Sequence, residues 1–167
     1  EITEVDPGDV IDCGNFSVEF FPVCHSIPDA MGLAIRTPEG VVVHTGDFKF
    51  DHTPVNGRPS DFGKLASFGA EGVLLLMSNS TYAEERGYTE SEQVVGETMM
   101  RVIGRAKGRV IVATFASLIS RIQQVIDAAV KHDRRVGVVG RSMVGNVQMA
   151  TKLGYLNAPD GTMARID

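Results

Sequence analysis

A β-branched run that breaks into a glycine turn, Val41-Val-Val-His-Thr-Gly-Asp47, constrains this chain more than any other stretch. Three consecutive valines favour an extended, buried strand, and the glycine lets the backbone turn just where an aspartate follows. Upstream, another apolar run, Val18 to Val23, leads to His25 in Cys24-His-Ser-Ile-Pro-Asp29. Two side chains able to bind a metal therefore stand just beyond the ends of two expected strands, where a sheet fixes their positions. Hydrolytic metal sites are commonly assembled from such His and carboxylate ligands. A lone histidine at a strand end is more often structural, and His25 rises above that only because Asp47 shares its setting.

The rest of the first half reads as short strands and tight turns. Strands are expected at Phe16–Val23, Gly32–Arg36 and Val41–His44, with Thr37-Pro-Glu-Gly40 as a turn. A polar loop with Pro54, Gly57 and Pro59 precedes a short helix near Phe62–Phe68, and the continuous apolar run Gly72–Met77 suits a buried strand. From Thr89 the pattern changes. Thr89 with Glu92 forms a capping box that opens a helix to about Arg105. Arg109–Ala113 reads as a strand, and Ser117 as the cap of a helix with an apolar face of Leu118, Ile122, Val125, Ile126, Ala129 and Val130. Arg135–Val139 is again a strand, and Ser142–Leu153 again a helix, closed by Gly154. Alternation of this kind implies right-handed crossovers and a parallel sheet, so the fold class is α/β.

Charge separates the same two halves. Residues 1–100 hold 5 Lys/Arg against 17 Asp/Glu, a balance of −12, whereas residues 101–167 hold 11 against 4, a balance of +7. An acidic half followed by a basic half can pair a cation site with a surface for a polyanion, although basic residues that merely solvate helix faces give the same count. Cys13 and Cys24 have no metal-binding spacing and argue against a disulfide scaffold, so reduced thiols and a cytoplasmic location are expected. No apolar run is long enough for a membrane span. The chain opens on Glu1 rather than Met, and Glu1 to Asp12 reads as mid-domain sequence, so a portion of a longer protein is expected.

Two strand-to-helix turns carry small polar residues, Thr114-Phe-Ala-Ser117 and Gly140-Arg-Ser142. Ligands in parallel α/β sheets bind at the carboxyl ends of strands, where helix N-termini present free N–H groups to phosphate. Gly140 allows close approach of the backbone, Ser142 adds a hydroxyl, and Arg141 can fork onto phosphate oxygens. The alternative is that Ser142 simply caps a helix. Of the remaining histidines, His44 ends a strand, His52 lies in the loop after Asp47, and His132 is expected only to interact with the C-terminus of its helix.

Five segments carry a resemblance: His25-Ser-Ile-Pro-Asp29, His44-Thr-Gly-Asp-Phe-Lys49, Gly87-Tyr-Thr-Glu-Ser-Glu92, Ala113-Thr-Phe-Ala-Ser117 and Val139-Gly-Arg-Ser-Met143. In this order and over nearly the whole chain, the sequence closely resembles the ribonuclease J family, β-CASP members of the metallo-β-lactamase superfamily. The resemblance implies part of a metallo-β-lactamase αβ/βα sandwich in residues 1–84, followed by part of a parallel α/β β-CASP domain in residues 85–167. It implies hydrolysis of RNA phosphodiesters, as a 5′→3′ exonuclease and as an endonuclease. His25 would be a zinc ligand and Asp47 the carboxylate bridging two zinc ions. Ser117, Gly140, Arg141 and Ser142 would belong to the wall that holds the RNA backbone, with a 5′-monophosphate or a nearby phosphate as ligand. A homo-oligomer is expected at full length.

Departures from the family pattern sharpen the expectation. The His-x-His-x-Asp-His metal motif is not in this chain, and the last histidine ligand would lie beyond Asp167, so the ligand set here is incomplete. Asn79 stands where the family has an acidic residue, and Ser120 where it has a histidine. That acid–histidine pair works beside the metals, in the manner of a general acid. Two readings follow: a zinc-dependent ribonuclease active in its complete chain, or a non-catalytic RNA-binding or subunit-pairing paralogue that keeps the phosphate wall. A small-molecule hydrolase of the superfamily is disfavoured, because such members lack the strand–helix units after residue 89.

Overall fold

The computed structural model describes residues 2–166 and divides them into two units, one running to Thr89 and the other from Glu90, with Ser26–Pro28 counted in the second. The described residues are mixed α/β, with four helices among them. In the first unit, Val10–Cys13 (β1), Phe16–Pro22 (β2), Met31–Thr37 (β3) and Gly40–His44 (β4) form an antiparallel meander. Val73–Met77 (β5) joins β4 in parallel. A parallel neighbour needs a crossover, and Phe62–Glu71 (α1) provides it, capped by Asp61, whose carboxylate accepts the Lys64 N–H at 2.8 Å. Alternation puts Phe21, Val23, Ala34, Val41 and Val43 on one sheet face, packed against Phe68 of α1. Phe21 lies opposite Gly32, where its ring fills the space a side chain would take, and it meets Phe68 edge-on with centroids 5.4 Å apart.

One buried carboxylate shares that apolar face. Glu19, 6% exposed, accepts from Arg36 Nη1 at 2.8 Å and pairs with Lys64 of α1. Arg36 also forks onto Glu71, with Nε and Nη2 at 2.9 and 3.0 Å from its two oxygens. Helix α1 is thus tied to the sheet through Lys64 near its start and Glu71 at its end. The Lys64 hydrogen bond, helped by Arg36 and opposed by desolvation, holds the Glu19 carboxyl below its ordinary value of 4.5. The folded form therefore binds this proton less readily than the unfolded chain, so the contribution is present above that value and fades as pH falls through the depressed one. Urea denaturation should show stability falling on acidification below about pH 4.5. Glu19→Gln should cost about 2 kcal/mol at neutral pH and flatten that dependence; an unchanged acid limb would show that other carboxylates govern it.

β5 departs from expectation. The apolar run suited a buried strand, yet every residue of β5 is exposed, Leu74 at 62% and Leu76 at 59%. Among the described residues the strand is the edge of its sheet, with β4 as its neighbour.

In the second unit, Glu92–Arg105 (α2) and Ile119–Lys131 (α3) lie side by side in the same direction. Gln124 packs over Gly96 and the His132 ring over Gly104, so His132 serves helix packing as well as closing α3. Gln124 Nε2 donates to the Glu92 carbonyl at 2.8 Å, and Arg121 Nη2 lies 2.6 Å from the Glu92 carboxylate. The cap of α2 is Ser91, accepting from Gln93 N–H, rather than Thr89. The α3 face turns out slightly rotated: Ile119, Ile122, Ile126, Ala128 and Ala129 are buried, while Val130 is exposed. Val147 and Ala150 of Arg141–Lys152 (α4), with Leu156, complete this core. Val136–Gly137 (β6) pairs in parallel with Met163–Ala164 (β7), each only two residues long. Arg109–Ala113 runs without a ladder. Residues of both this run and Arg135–Val139 line a cavity of about 970 Å³ over Ile122, Val125 and Ala129, and among the described residues no ladder joins the two runs.

Candidate functional site

The ends of β4 and β5 create the first part of the site. Gly46, at φ 60°, takes the left-handed backbone that turns the chain after Thr45 and aims Asp47 outward. Thr45 is buried and works in three directions. Its N–H donates to the Met77 carbonyl at 3.0 Å, its hydroxyl donates to the Gly46 carbonyl at 2.8 Å, and the same oxygen accepts the Asn79 N–H at 3.1 Å. Gly46 N–H in turn donates to His44 Nδ1 at 3.1 Å, so His44 shapes the turn. A second strap, Lys49 N–H to the Cys24 carbonyl at 2.7 Å, binds the Asp47 loop to the His25 loop. Ser60 adds a third by accepting the Cys24 N–H at 2.9 Å.

These straps bring the two expected ligands together: His25 Nε2 lies 3.7 Å from Asp47 Oδ2. Zinc–nitrogen and zinc–oxygen bonds of about 2.1 Å around a tetrahedral ion place two donors roughly 3.4 Å apart, so the pair fits one shared ion. His25 is partly buried, with 27% of its side chain exposed, and Asp47 is open at 73%. Among the described residues no group of three or more His, Cys, Asp or Glu is gathered closely enough to hold a metal. His25 and Asp47 are two side chains that could contribute donors to a shell completed by residues outside this chain.

Asn79 stands beside this turn through Thr45, but its side chain faces its own loop: Oδ1 accepts from Thr81 N–H at 3.0 Å and from Thr81 Oγ1 at 2.7 Å. This is an Asx turn that an amide or a carboxylate oxygen makes equally well. Thr45 and Ser60 were not singled out from sequence, since a buried hydroxyl in a loop leaves no periodic signal.

The second unit holds the other expected residues. Gly140, at φ 101°, is the N-cap of α4, which begins at Arg141. Ser142 is therefore inside the first turn and caps nothing, which removes the capping explanation for it. With no side-chain cap, the opening amides of α4 have no partner within the helix and can receive an anion. Gly140, Arg141 and Ser142 are all exposed. Ser117 likewise does not cap α3: Leu118 holds that position without a side-chain bond, and the Ser117 carbonyl accepts the Ile119 N–H at 2.9 Å. Ser120 is the second residue of α3.

Comparison with known proteins agrees along the chain. A family profile described as "Ribonuclease J, beta-CASP domain" matches residues 107–167. A protein named Ribonuclease J from Corynebacterium glutamicum is 49% identical over 167 residues, covering all of this chain and 23% of that protein. A Ribonuclease J from Thermus thermophilus is 52% identical over 160 residues, 95% of this chain and 28% of its own length. The chain spans about a quarter of the length of the curated relatives it matches. A crystal structure of a protein of unknown function from Enterococcus faecalis V583 superposes with a TM-score of 0.64 at 20% identity, over 100% of this chain and 42% of that one, a likeness of fold.

Proposed function

As the chain belongs to the ribonuclease J family, we propose that its complete protein is a zinc-dependent ribonuclease, acting as a 5′→3′ exonuclease and as an endonuclease on RNA. The observation that carries this reading is the His25–Asp47 pair, held 3.7 Å apart by loops that are strapped to each other. Residues 1–84 would be its metallo-β-lactamase portion and residues 85–167 its β-CASP portion. A cytoplasmic location, where Cys13 and Cys24 would stay reduced, is part of the same proposal. Among the described residues no helix is long and apolar enough to cross a membrane.

In this mechanism His25 and Asp47 would hold zinc, which when bound would supply hydroxide at neutral pH and charge stabilisation. Thr45, through its bonds to Gly46 and Asn79, keeps the Asp47 turn in place while substrate changes. The uncapped start of α4, with Arg141 and Ser142, receives a 5′-monophosphate, and the Ser117 turn adds backbone contacts along the RNA. Contacts of this kind give affinity without reading bases. Arg141→Ala should weaken binding of 5′-phosphorylated RNA by roughly 10-fold and of 5′-hydroxyl RNA far less. Equal loss with both would remove the 5′-phosphate assignment.

Asn79 and Ser120 favour a second reading, a paralogue that binds RNA without cleaving it. The complete protein incubated with 5′-monophosphorylated RNA separates the two. Degradation that stops with a chelator and returns with zinc supports the ribonuclease. Binding without degradation in zinc supports the paralogue.

A further inference from the structure

His25 sits in a short loop between β2 and β3, and the Val23 N–H closes the neck of that loop by donating to the Ala30 carbonyl at 3.0 Å. Cys24 and Asp29 are therefore its first and last residues. One segment, residues 58–61, meets both of them. Asp61 N–H donates to the Pro22 carbonyl at 3.2 Å, at the end of β2. Ser60 Oγ accepts the Cys24 N–H at 2.9 Å. Arg58 Nη1 lies 2.9 Å from Asp29 Oδ1, at the other end of the loop.

The grip at Cys24 is the firmer one. Ser60 is 2% exposed, and a hydrogen bond shielded from water in this way is costly to lose. Serine ahead of a helix ordinarily caps it. Here Asp61 caps α1, and the Ser60 hydroxyl is turned to the His25 loop instead. The Cys24 carbonyl is engaged as well, by the Lys49 N–H at 2.7 Å. With both backbone groups of the preceding residue bonded to other segments, His25 starts from a fixed position. At Asp29 the backbone is left-handed, φ 52°, a conformation that few non-glycine residues adopt and that the surroundings must maintain. The Arg58–Asp29 pair is open, with side chains 74% and 43% exposed, so it contributes little by itself.

We propose that Ser60 is a positioning residue for His25, with Arg58 and Asp29 as a weaker second point of the same bracket. The proposal rests on the zinc reading of the His25–Asp47 pair and deepens it: Ser60 sets how firmly the metal is held without touching it. Groups that orient a metal ligand from behind govern affinity by roughly 10- to 100-fold.

The test measures zinc affinity of the complete protein by competition with a chromophoric chelator, alongside the melting temperature of the metal-free protein. Ser60→Ala should weaken zinc binding about 10-fold, and Ser60→Thr, which keeps the hydroxyl, should lose far less. Arg58→Ala should weaken it about 3-fold, an effect that shrinks in high salt. Glu19→Gln, which lowers stability without altering the loop, should keep the zinc affinity of the unaltered protein. With cobalt(II) in place of zinc, the d–d absorption should change in Ser60→Ala and not in Glu19→Gln. A Ser60→Ala protein that melts earlier but binds zinc as before overturns the proposal and leaves Ser60 a purely structural residue. Equal weakening by Ser60→Ala and Glu19→Gln also overturns it, by tracing the loss to general destabilisation. If the unaltered protein takes up no zinc, or His25→Ala leaves its uptake unchanged, the zinc reading itself fails, a result distinct from failure of the bracket alone.

Discussion

Replacing Asp47 with alanine in the complete protein is expected to lower RNA hydrolysis by roughly 10³-fold or more, since metal-derived charge stabilisation amounts to several kcal/mol. The loss should come from chemistry and not from unfolding. The Asp47 side chain is 73% exposed and its partner in the turn is His25, so little packing is removed with it. Surface changes of this sort usually move stability by no more than about 0.5 kcal/mol. Thermal denaturation should therefore be nearly unchanged while zinc content and turnover both fall. RNA affinity should largely persist if the proposed phosphate contacts at the α4 N-terminus and Arg141 hold the strand. Undiminished turnover would remove Asp47 from the site and leave the 3.7 Å pair as a surface ion contact.

The second large effect runs in the opposite direction. Asn79→Asp combined with Ser120→His should raise hydrolysis by about 10²-fold, the scale of assistance from a positioned general acid. The first exchange is structurally mild. The Asn79 oxygen accepts two hydrogen bonds from Thr81, and its backbone N–H is held by Thr45; a carboxylate keeps all three. The second exchange alone should achieve little. Position 120 lies in the first turn of α3, where the helix dipole disfavours an imidazolium. Acting as the acid–histidine pair of the proposed mechanism, the two changes should be strongly non-additive, and a double-mutant cycle on the rate measures the coupling. Additive or absent gains would mean that the two substitutions are unrelated.

Much of the first unit was legible in the sequence because its strands obey a period of two and its turns carry glycine. Phe16–Pro22, Met31–Thr37 and Gly40–His44 fall within a residue of expectation, and so does the start of α1. The valine run also announced the Asp47 turn. β1 was missed, since Val10–Cys13 is short and mostly exposed. β5 was located but misjudged, because an apolar run reports hydrophobicity and says nothing about how many neighbours the strand will have. The same gap explains Arg109–Ala113 and Arg135–Val139. Their residues prefer extended backbone, but a ladder depends on what lies alongside: among the described residues Val136–Gly137 pairs with β7 while Arg109–Ala113 joins no ladder. At the site, His25 and Asp47 were readable because strand ends are readable. Thr45, Ser60 and the Lys49–Cys24 strap were not, since they act through tertiary hydrogen bonds between distant segments.

The parallel seam between β4 and β5 has a kinetic consequence. The meander β1–β4 closes through short hairpins, whereas β5 can dock only after the loop and α1 have been traversed, a much more distant pairing. The seam is thus expected to form after the meander, and the strand it adds is half in solvent, a combination typical of segments that detach in subglobal openings. Thr45 straddles it, bonded to Met77 and Asn79 on the far side. Amide exchange at Thr45 and Asn79 would then report excursions in which β5 lifts away while the meander stays closed. In each such excursion the Asp47 turn loses its support and recovers it, so the geometry of the ligand pair is only as durable as the docking of one exposed edge strand.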